Sequence, residues 1–390
     1  MRLQLLLPKV EPKEISEPTE CVYEGCGSKQ VQMHQSVEKA LRDTVHQQVE
    51  VQRYRCGKCG RTFRVYPKGV SQGQTSDCVK GLAVMLYLLG ISYGGVSLAL
   101  ESLGVPLCKT AVYDAVQAAA RRIPGMKREQ VFGGVKTKAV GGDLTSVKCA
   151  GKWLYLGISV DAISGLSLTI DKIEAEDAQT LKEWMEPIAK SVGAEVLVTD
   201  DADALKTVAD ELGLEQQVCK SHVKRNTKDL IDELCPKVAQ DEDGSLKACG
   251  VDPRQAEADL LRLGELIVSR KPEEVKEVQE MHQRSIKAAP PRKGERASLA
   301  YRLRRLFGDR SKLWSRLTGY RKWNESHDDH ERLDGTNNAC ERAIGWWVKE
   351  RYRSMRGYKA PANAVRVSRL IAWCGNFLDK GGANLATLIA

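Results

Sequence analysis

Two pairs of cysteines near the N-terminus constrain the fold more than any other feature of this sequence. Cys21 and Cys26 bracket VYEG, Cys56 and Cys59 bracket GK, and 29 residues separate the pairs. Two such short loops can place four thiolates tetrahedrally around one Zn²⁺, at about 2.3 Å each. Residues 1–72 are therefore predicted to form a zinc ribbon, with a structural zinc because four protein ligands leave no open position. The first pair has the less usual spacing, so two cysteines packed without a metal stay an alternative.

The remaining cysteines and the apolar runs bear on the compartment. The twelve cysteines are spread over the chain instead of forming a compact disulfide framework, which favours a cytoplasmic protein. The N-terminal segment MRLQLLLPKVEPKE is interrupted by Pro8 and Lys9 and has no small-residue cleavage site. No run approaches the roughly 18 apolar residues that a membrane helix needs. We expect a cytoplasmic protein that does not associate with membranes.

Positive charge is concentrated in one segment. The formal net charge of the 390 residues is +9, and residues 299–325 carry eight Lys and Arg against two acids. Such a local excess indicates a polyanionic partner, most often nucleic acid. A solvated basic helix face is the alternative.

Three helical patterns follow the cysteine region. Residues 76–124 contain DCVKGLAVMLYLLG, GGVSLALESLG and KTAVYDAVQAAARRI, separated by glycines and a proline. This spacing is typical of a helix-turn-helix, whose third helix would enter the major groove of DNA. That helix begins near Lys109, a candidate DNA contact, and Thr110 could cap it. A plain three-helix packing unit is the alternative.

The rest of the chain predicts a mixed α/β domain interrupted by helices. In residues 131–226, KAVGGDLTSVK, WLYLGISVDA, LSLTIDKI and AEVLVTD predict strands, and EDAQTLKEWMEPIAKSV predicts an amphipathic helix. Residues 227–330 are predicted to be a helical insertion, and residues 331–390 to be C-terminal helices of the same domain. The fold class is therefore a multidomain α/β protein with a mixed sheet.

Two aspartates stand out in the predicted sheet. Asp143 lies inside the first strand among small residues, and Asp200 ends the apolar strand AEVLVTD. Acids in these positions can meet at one edge of a sheet. Paired carboxylates there bind divalent metal ions, and two such ions can activate a nucleophile and stabilise the leaving oxygen of a phosphodiester.

Other aspartates have simpler interpretations. Asp161 precedes ISG and is predicted to form a turn, and Asp177 is predicted to cap a helix. Asp201 and Asp203 directly follow Asp200 and could take its role, although the position at the strand end favours Asp200.

Glu341 is the third candidate acid, in the segment TNNACERAIGWWVKERYRSMRGYK. It could close a capping box begun at Asn338, or it could bind a metal ion. On a regular helix, Ile344 and Val348 would lie on one flank of Glu341 and anchor it, together with buried tryptophans. The other flank would carry a strip of cations, which suits a metal ligand beside bound phosphates. These cations are Arg342, Lys349, Arg353 and Arg356.

At this point the sequence resembles a known family. The order Asp143, Asp200, Glu341 resembles the DDE triad of bacterial insertion-sequence transposases with an RNase H-like fold. VCKSHVKRN, which contains Cys219 and His222, resembles the Cys-x-x-His motif of the Mutator-like and related branches, and TNNACER…R resembles the segment around their catalytic glutamate. For Cys219 and His222 a packing role is favoured, with metal binding as the alternative.

The resemblance implies a function. It implies a DNA transposase that cleaves and joins strands with two Mg²⁺ (or Mn²⁺) ions held by Asp143, Asp200 and Glu341. The ribbon and helix-turn-helix would recognise the element's terminal inverted repeats, with a second DNA as target. Paired ends imply a homodimer or larger assembly at the nucleoid. The alternatives are a structure-specific nuclease on the same fold and a non-catalytic DNA-binding regulator derived from a transposase.

Overall fold

The chain is a mixed α/β protein built as two compact units. One unit comprises Met1–Lys127, Ser146–Leu154 and Gly345–Ala390, and the other comprises Arg128–Thr145 and Tyr155–Ile344. Along the described ranges, every helix is too short or too polar to span a lipid bilayer. The computed structural model describes residues 5–123, 137–354, 358–376, 383–384 and 389.

The first unit opens with a small antiparallel sheet that carries the cysteine pairs. The strands of this region are β1 (Leu5–Leu6), β2 (Val31–Ala40), β3 (Gln48–Cys56) and β4 (Thr62–Val65). The sheet has the order β2-β3-β4, and Cys56 is the last residue of β3. The stacked rings of Tyr54 and Phe63, with centroids 6.1 Å apart, pack beside the cysteines.

Three helices follow, as the sequence predicts. They are α1 (Asp77–Leu88), α2 (Tyr93–Ser102) and α3 (Lys109–Arg122). Ser76 and Ser92 cap the first two helices by accepting backbone N–H bonds. The prediction that Thr110 caps α3 is wrong. The helix already begins at Lys109, and in the described part of the chain the cap position, Cys108, makes no side-chain capping bond.

The second unit contains a five-stranded mixed sheet. Its strands are β5 (Ala139–Cys149), β6 (Lys152–Asp161), β7 (Ser167–Ile173), β8 (Val196–Thr199) and β9 (Glu215–Val218). They pair in the order β7-β6-β5-β8-β9, with β6 antiparallel to β7 and β8 parallel to both β5 and β9. The first four strands along the chain match the predicted segments, whereas β9 has no counterpart among them.

Two helices pack on this sheet, α4 (Ala178–Val192) and α5 (Asp203–Leu212), and bury an aliphatic core with it. Asp177 caps α4 by accepting the N–H of Thr180 at 3.0 Å, as predicted. Asp161 holds the turn after β6 by accepting bonds from the backbone of Ile163 and the hydroxyl of Ser164, also as predicted.

A helical segment separates β9 from the C-terminal acid. It has its own apolar core, centred on Phe307 and Trp314. Its first helix runs continuously across the predicted boundary at residue 226. The helices are α6 (Lys220–Ala239), α7 (Ser245–Ala248), α8 (Pro253–Ser269), α9 (Val275–Arg284) and α10 (Leu299–Ser326).

The C-terminal segment corrects two predictions. A π-helix, Ile344–Lys349, interrupts the expected regular helix, so the phase of 100° per residue does not extend past Ile344. Ile344 and Val348 are buried as expected, but Trp346 is 64% exposed. The segment contains α11 (Asn338–Ala343), the π-helix, α12 (Glu350–Ser354), α13 (Pro361–Asn376) and β10 (Ala383–Asn384), which pairs in parallel with β1.

Candidate active site and zinc centre

The four N-terminal cysteines form one cluster. The Sγ atoms of Cys21 and Cys59 are 3.8 Å apart, those of Cys26 and Cys56 are 3.7 Å apart, and all four lie within 4.8 Å of one another. Tetrahedral zinc with bonds of about 2.3 Å requires sulfur separations of this size. The cluster is therefore close enough to bind a metal ion and is compatible with a structural zinc.

The loops around the cluster suit a metal-bound thiolate. The glycine after the second pair, Gly60, has a φ of +70° and donates its N–H to Cys56 O, so the loop closes tightly. The backbone N–H of Arg61, and then its side chain, lower the pKa of Cys59 to about 6. A lowered pKa favours the thiolate, which is the form of cysteine that binds a metal ion.

Two glycines in β5 determine how closely its neighbours approach the first acid. A Cβ on Gly141 would lie 2.9 Å from Val160 Cγ2 and 3.0 Å from Cys340 Sγ, so only glycine allows α11 to pack against the strand here. Gly142 faces the opposite side, towards Met185. Asp143 follows directly, so a close contact between a strand and a helix sets its position.

The second acid lies at the end of the neighbouring strand. Strand β8 pairs in parallel with β5 and ends at Thr199, so Asp200 emerges at its carboxyl end. Asp200 accepts the N–H of Ala202 at 3.2 Å. The two other acids considered there are occupied by cations. Asp201 pairs with Lys206 at 2.7 Å, and the exposed Asp203 pairs with the same lysine.

The third acid lies on α11. Glu341 Oε1 is 3.0 Å from Nε2 of His222, which projects from the first turn of α6. The capping-box alternative is wrong because the cap position is Asn337, and in the described part of the chain its side chain makes no capping bond. Glu341 is partly exposed and faces His222 instead of the helix terminus.

The pKa of Asp143 depends on the charges of the two other candidate acids. The pKa of Asp143 is raised to about 6, first by burial and then by the negative charges of Asp200 and Glu341, against the lowering effects of a bond from the N–H of Leu144 and of the nearby His222. Like charges disfavour the ionised form only when they are close. The charges of Asp200 and Glu341 thus act on Asp143, and the three predicted acids are carried by β5, the end of β8 and α11 of the same unit.

Asn337 and Cys219 connect the backbones that carry these acids. Asn337 is buried, and its Nδ2 donates to the carbonyl of Gly142, directly before Asp143, at 3.0 Å. Its backbone N–H donates to Cys219 Sγ at 3.2 Å. The N–H of Cys219 donates to Thr199 O, directly before Asp200, at 2.7 Å. We call these two residues the Asn337–Cys219 bracket. Both residues lie in segments that the sequence analysis singles out, but the sequence does not indicate that Asn337 contacts Cys219.

The residues predicted to contact DNA are divided between the two units of the chain. Arg342 is exposed in the same unit as Glu341, whereas Lys349 and Arg353 are exposed in the other unit, and Arg356 lies outside the described residues. Lys109 is exposed at the start of α3. That helix exposes residues mainly in its first half and buries much of its second half.

Several cations in the basic segment of α10 form ion pairs or hydrogen bonds within their own unit. Arg302 pairs with Glu233 and Arg316 with Asp210. Arg310 is buried and bonds to Thr227. Several of the cations predicted to form a basic surface on this helix therefore have partners within the unit.

Exposed cations on α6 are the functional candidates that sequence reasoning missed. Lys224, Arg225 and Lys228 are exposed on the helix that carries His222. The signal was present in KSHVKRNTK, which holds these cations and no acid. Compared with models of known protein families and with curated proteins, the chain matches none of them.

Proposed function

We propose that this protein is a DNA transposase of the DDE type, which cleaves DNA at the ends of an insertion sequence and transfers the freed strand to a target. One observation carries the proposal. The Asn337–Cys219 bracket joins the backbones directly beside Asp143, Asp200 and Glu341, the three acids chosen from the sequence. A buried carboxyl with a raised pKa, as at Asp143, is more typical of a functional site than of a stable surface.

The sheet supports the RNase H-like assignment. Its longest strand, β5, is central and carries Asp143, and it pairs in parallel with β8, whose end carries Asp200. The third acid comes from a helix that packs on β5 through Gly141. The three helices before the sheet support a helix-turn-helix, since α3 exposes its N-terminal half for contact with bases.

The donor atoms fit hard divalent cations. Three carboxylates supply oxygen ligands, and their mutual repulsion would be relieved by bound positive charge. Asp143, Asp200 and Glu341 would hold two Mg²⁺ or Mn²⁺ ions, which supply an activated nucleophile and stabilise the leaving oxygen when bound.

The chain's own residues have separate tasks in this proposal. His222 can donate to Glu341 Oε1 and so fix the orientation of that carboxylate. The exposed Lys224, Arg225 and Lys228 would bind the phosphates of the DNA end, and Lys109 on α3 would contact its bases or backbone. Pairing two ends requires at least two copies of the chain.

The test is a cleavage and joining assay on labelled DNA taken from the sequences on either side of the reading frame. Asp143→Asn, Asp200→Asn and Glu341→Gln should each lose both activities in Mg²⁺ and Mn²⁺. Asp203→Asn is the matched control. That acid is exposed, pairs only with Lys206 in the described part of the chain, and should be dispensable.

Each outcome assigns a function. Cleavage with joining supports the transposase. Cleavage without joining on any substrate assigns a structure-specific nuclease. Specific binding of the ends by a protein that neither cleaves nor joins assigns a regulator, and overturns the proposal.

A further inference from the structure

One cluster near the proposed active site differs in chemistry from the carboxylates. The Sγ of Cys219, a ring nitrogen of His222 and a carboxylate oxygen of Glu341 all lie within 4.8 Å of one another. Sulfur and imidazole are poor ligands for Mg²⁺ but preferred ligands for Zn²⁺. The set therefore does not duplicate the proposed three-carboxylate site.

We propose that Cys219, His222 and Glu341 form a second zinc site, distinct from the ribbon, with three protein ligands and one open position. Three ligands of this type plus water are the usual coordination of an accessible zinc. The ring nitrogen of His222 and the oxygen of Glu341 are already 3.0 Å apart, close to the separation that a shared tetrahedral ion imposes.

The surroundings of the sulfur favour a metal ligand over a packing thiol. Cys219 Sγ accepts the N–H of Asn337 at 3.2 Å, and an N–H bond to sulfur supports the negative charge of a metal-bound thiolate. Cys219 also occupies the cap position of α6, at the positive end of the helix dipole, which favours negative charge.

The site has an entrance. Cys219 is fully buried, but the side chain of His222 is 22% exposed and that of Glu341 is 42% exposed. A cation can therefore reach the sulfur from the solvent side, past the two outer ligands. A nearby cysteine, Cys340, is not part of the set, since it is buried and directed at Ile158 O.

The test measures zinc per chain in the full-length protein, by equilibrium dialysis at low micromolar free Zn²⁺ followed by elemental analysis. Wild type should bind two zinc ions. Cys219→Ser and His222→Gln should each bind one, and Cys56→Ser should bind only the ion at Cys219. Cys108→Ser, which removes an exposed cysteine, is the matched control and should keep two.

Cobalt substitution identifies the ligands. Co²⁺ in Cys56→Ser should show a thiolate charge-transfer band weaker than that of the four-cysteine site, and Cys219→Ser should lack that component. One zinc per wild-type chain, lost entirely in Cys56→Ser, would overturn the proposal. So would two ions that persist in both Cys219→Ser and His222→Gln.

A functional consequence rests on the proposed transposase activity. Because Glu341 would serve both sites, zinc should inhibit cleavage in Mg²⁺, and Cys219→Ser should require about tenfold more zinc for half-inhibition, relative to its own uninhibited rate. If the protein cleaves no DNA, the proposed function fails, but the zinc stoichiometry still decides the second site.

Discussion

Replacing Gly141 by alanine tests the contact that places Glu341 beside the sheet. The added Cβ would lie 2.9 Å from Val160 Cγ2, 3.0 Å from Cys340 Sγ and 3.2 Å from Asn337 Oδ1. All three neighbours are packed side chains of the unit's interior, so α11 must shift away from β5 or the strand must distort. Overpacking of this kind costs about 1–3 kcal/mol.

Gly142→Ala is the matched control on the adjacent residue. Its Cβ would lie 3.3 Å from Met185 Cε, the flexible end of a side chain that can move aside. Alanine leaves the unfolded chain with less conformational entropy than glycine, which stabilises the folded protein by about 0.4–1 kcal/mol. This gain offsets the cost of the tighter contact with Met185. We expect the free energy of unfolding of Gly142→Ala to stay within about 0.5 kcal/mol of wild type.

The assay combines melting curves with DNA cleavage. For a unit of roughly 200 residues, each kcal/mol lost lowers Tm by about 2–4 °C, so Gly141→Ala should melt roughly 2–12 °C below wild type. Its cleavage rate at a temperature where it is folded should fall by about tenfold or more, because small misplacements of reacting groups are costly. Equal stability of the Gly141→Ala and Gly142→Ala proteins would refute this account of the packing.

Three further predictions concern Glu341, Asp143 and the exposed cations of α6. Glu341→Gln should melt near wild type but lose strand cleavage, whereas a stable, active variant would remove this residue from the metal site. The pKa of Asp143, about 6, lies above its unfolded value, so its charge destabilises the fold above pH 6, and this cost fades as pH falls towards 3.8. Asp143→Asn should therefore raise Tm at pH 8 without divalent metal, and much less at pH 4.5; an equal gain at both values contradicts the burial argument. Combined Lys224→Ala and Lys228→Ala should weaken DNA binding and lower the salt slope by about 2, since each phosphate contact contributes about 0.9; an unchanged slope places the DNA elsewhere.

Long periodic segments could be predicted from the sequence because local patterns determine them. Helices α1 to α3 and strands β5 to β8 coincide with predicted segments, since each combines a clear apolar period with glycine or proline boundaries. Strand β9 could not be predicted this way. Its residues are Glu-Gln-Gln-Val, and the polar side chains are satisfied by distant groups: Gln216 donates to Thr199, and Gln217 donates to Leu317 O. Tertiary partners override the local preference there.

The sequence singles out candidate acids but not their surroundings. Strand position and the sequence context of Glu341 select three carboxylates, because chemistry restricts which residue types can bind metal ions, and their role stays a prediction. The charge density on α10 is visible in the sequence, but the partners of individual cations such as Arg302 and Arg316 are not. The π-helix was also not predicted. A rotation of 100° per residue places side chains correctly only on a regular α-helix, and no pattern in residues 344–349 indicates the wider turn there.

The Asn337–Cys219 bracket explains how acids so far apart in sequence are carried by backbone segments that are joined to one another. Asp200 and Glu341 are 141 residues apart, with a helical segment between them that has its own core. Both ends of that segment are joined beside the acids, because Lys220 N–H donates to Gly335 O at 2.9 Å, and Asn337 N–H donates to Cys219 Sγ. Closing a long loop costs entropy once, and length adds only slowly to that cost. The segment can therefore vary in length and sequence with little effect on the acids, whereas a change at Cys219 or Asn337 acts on them directly.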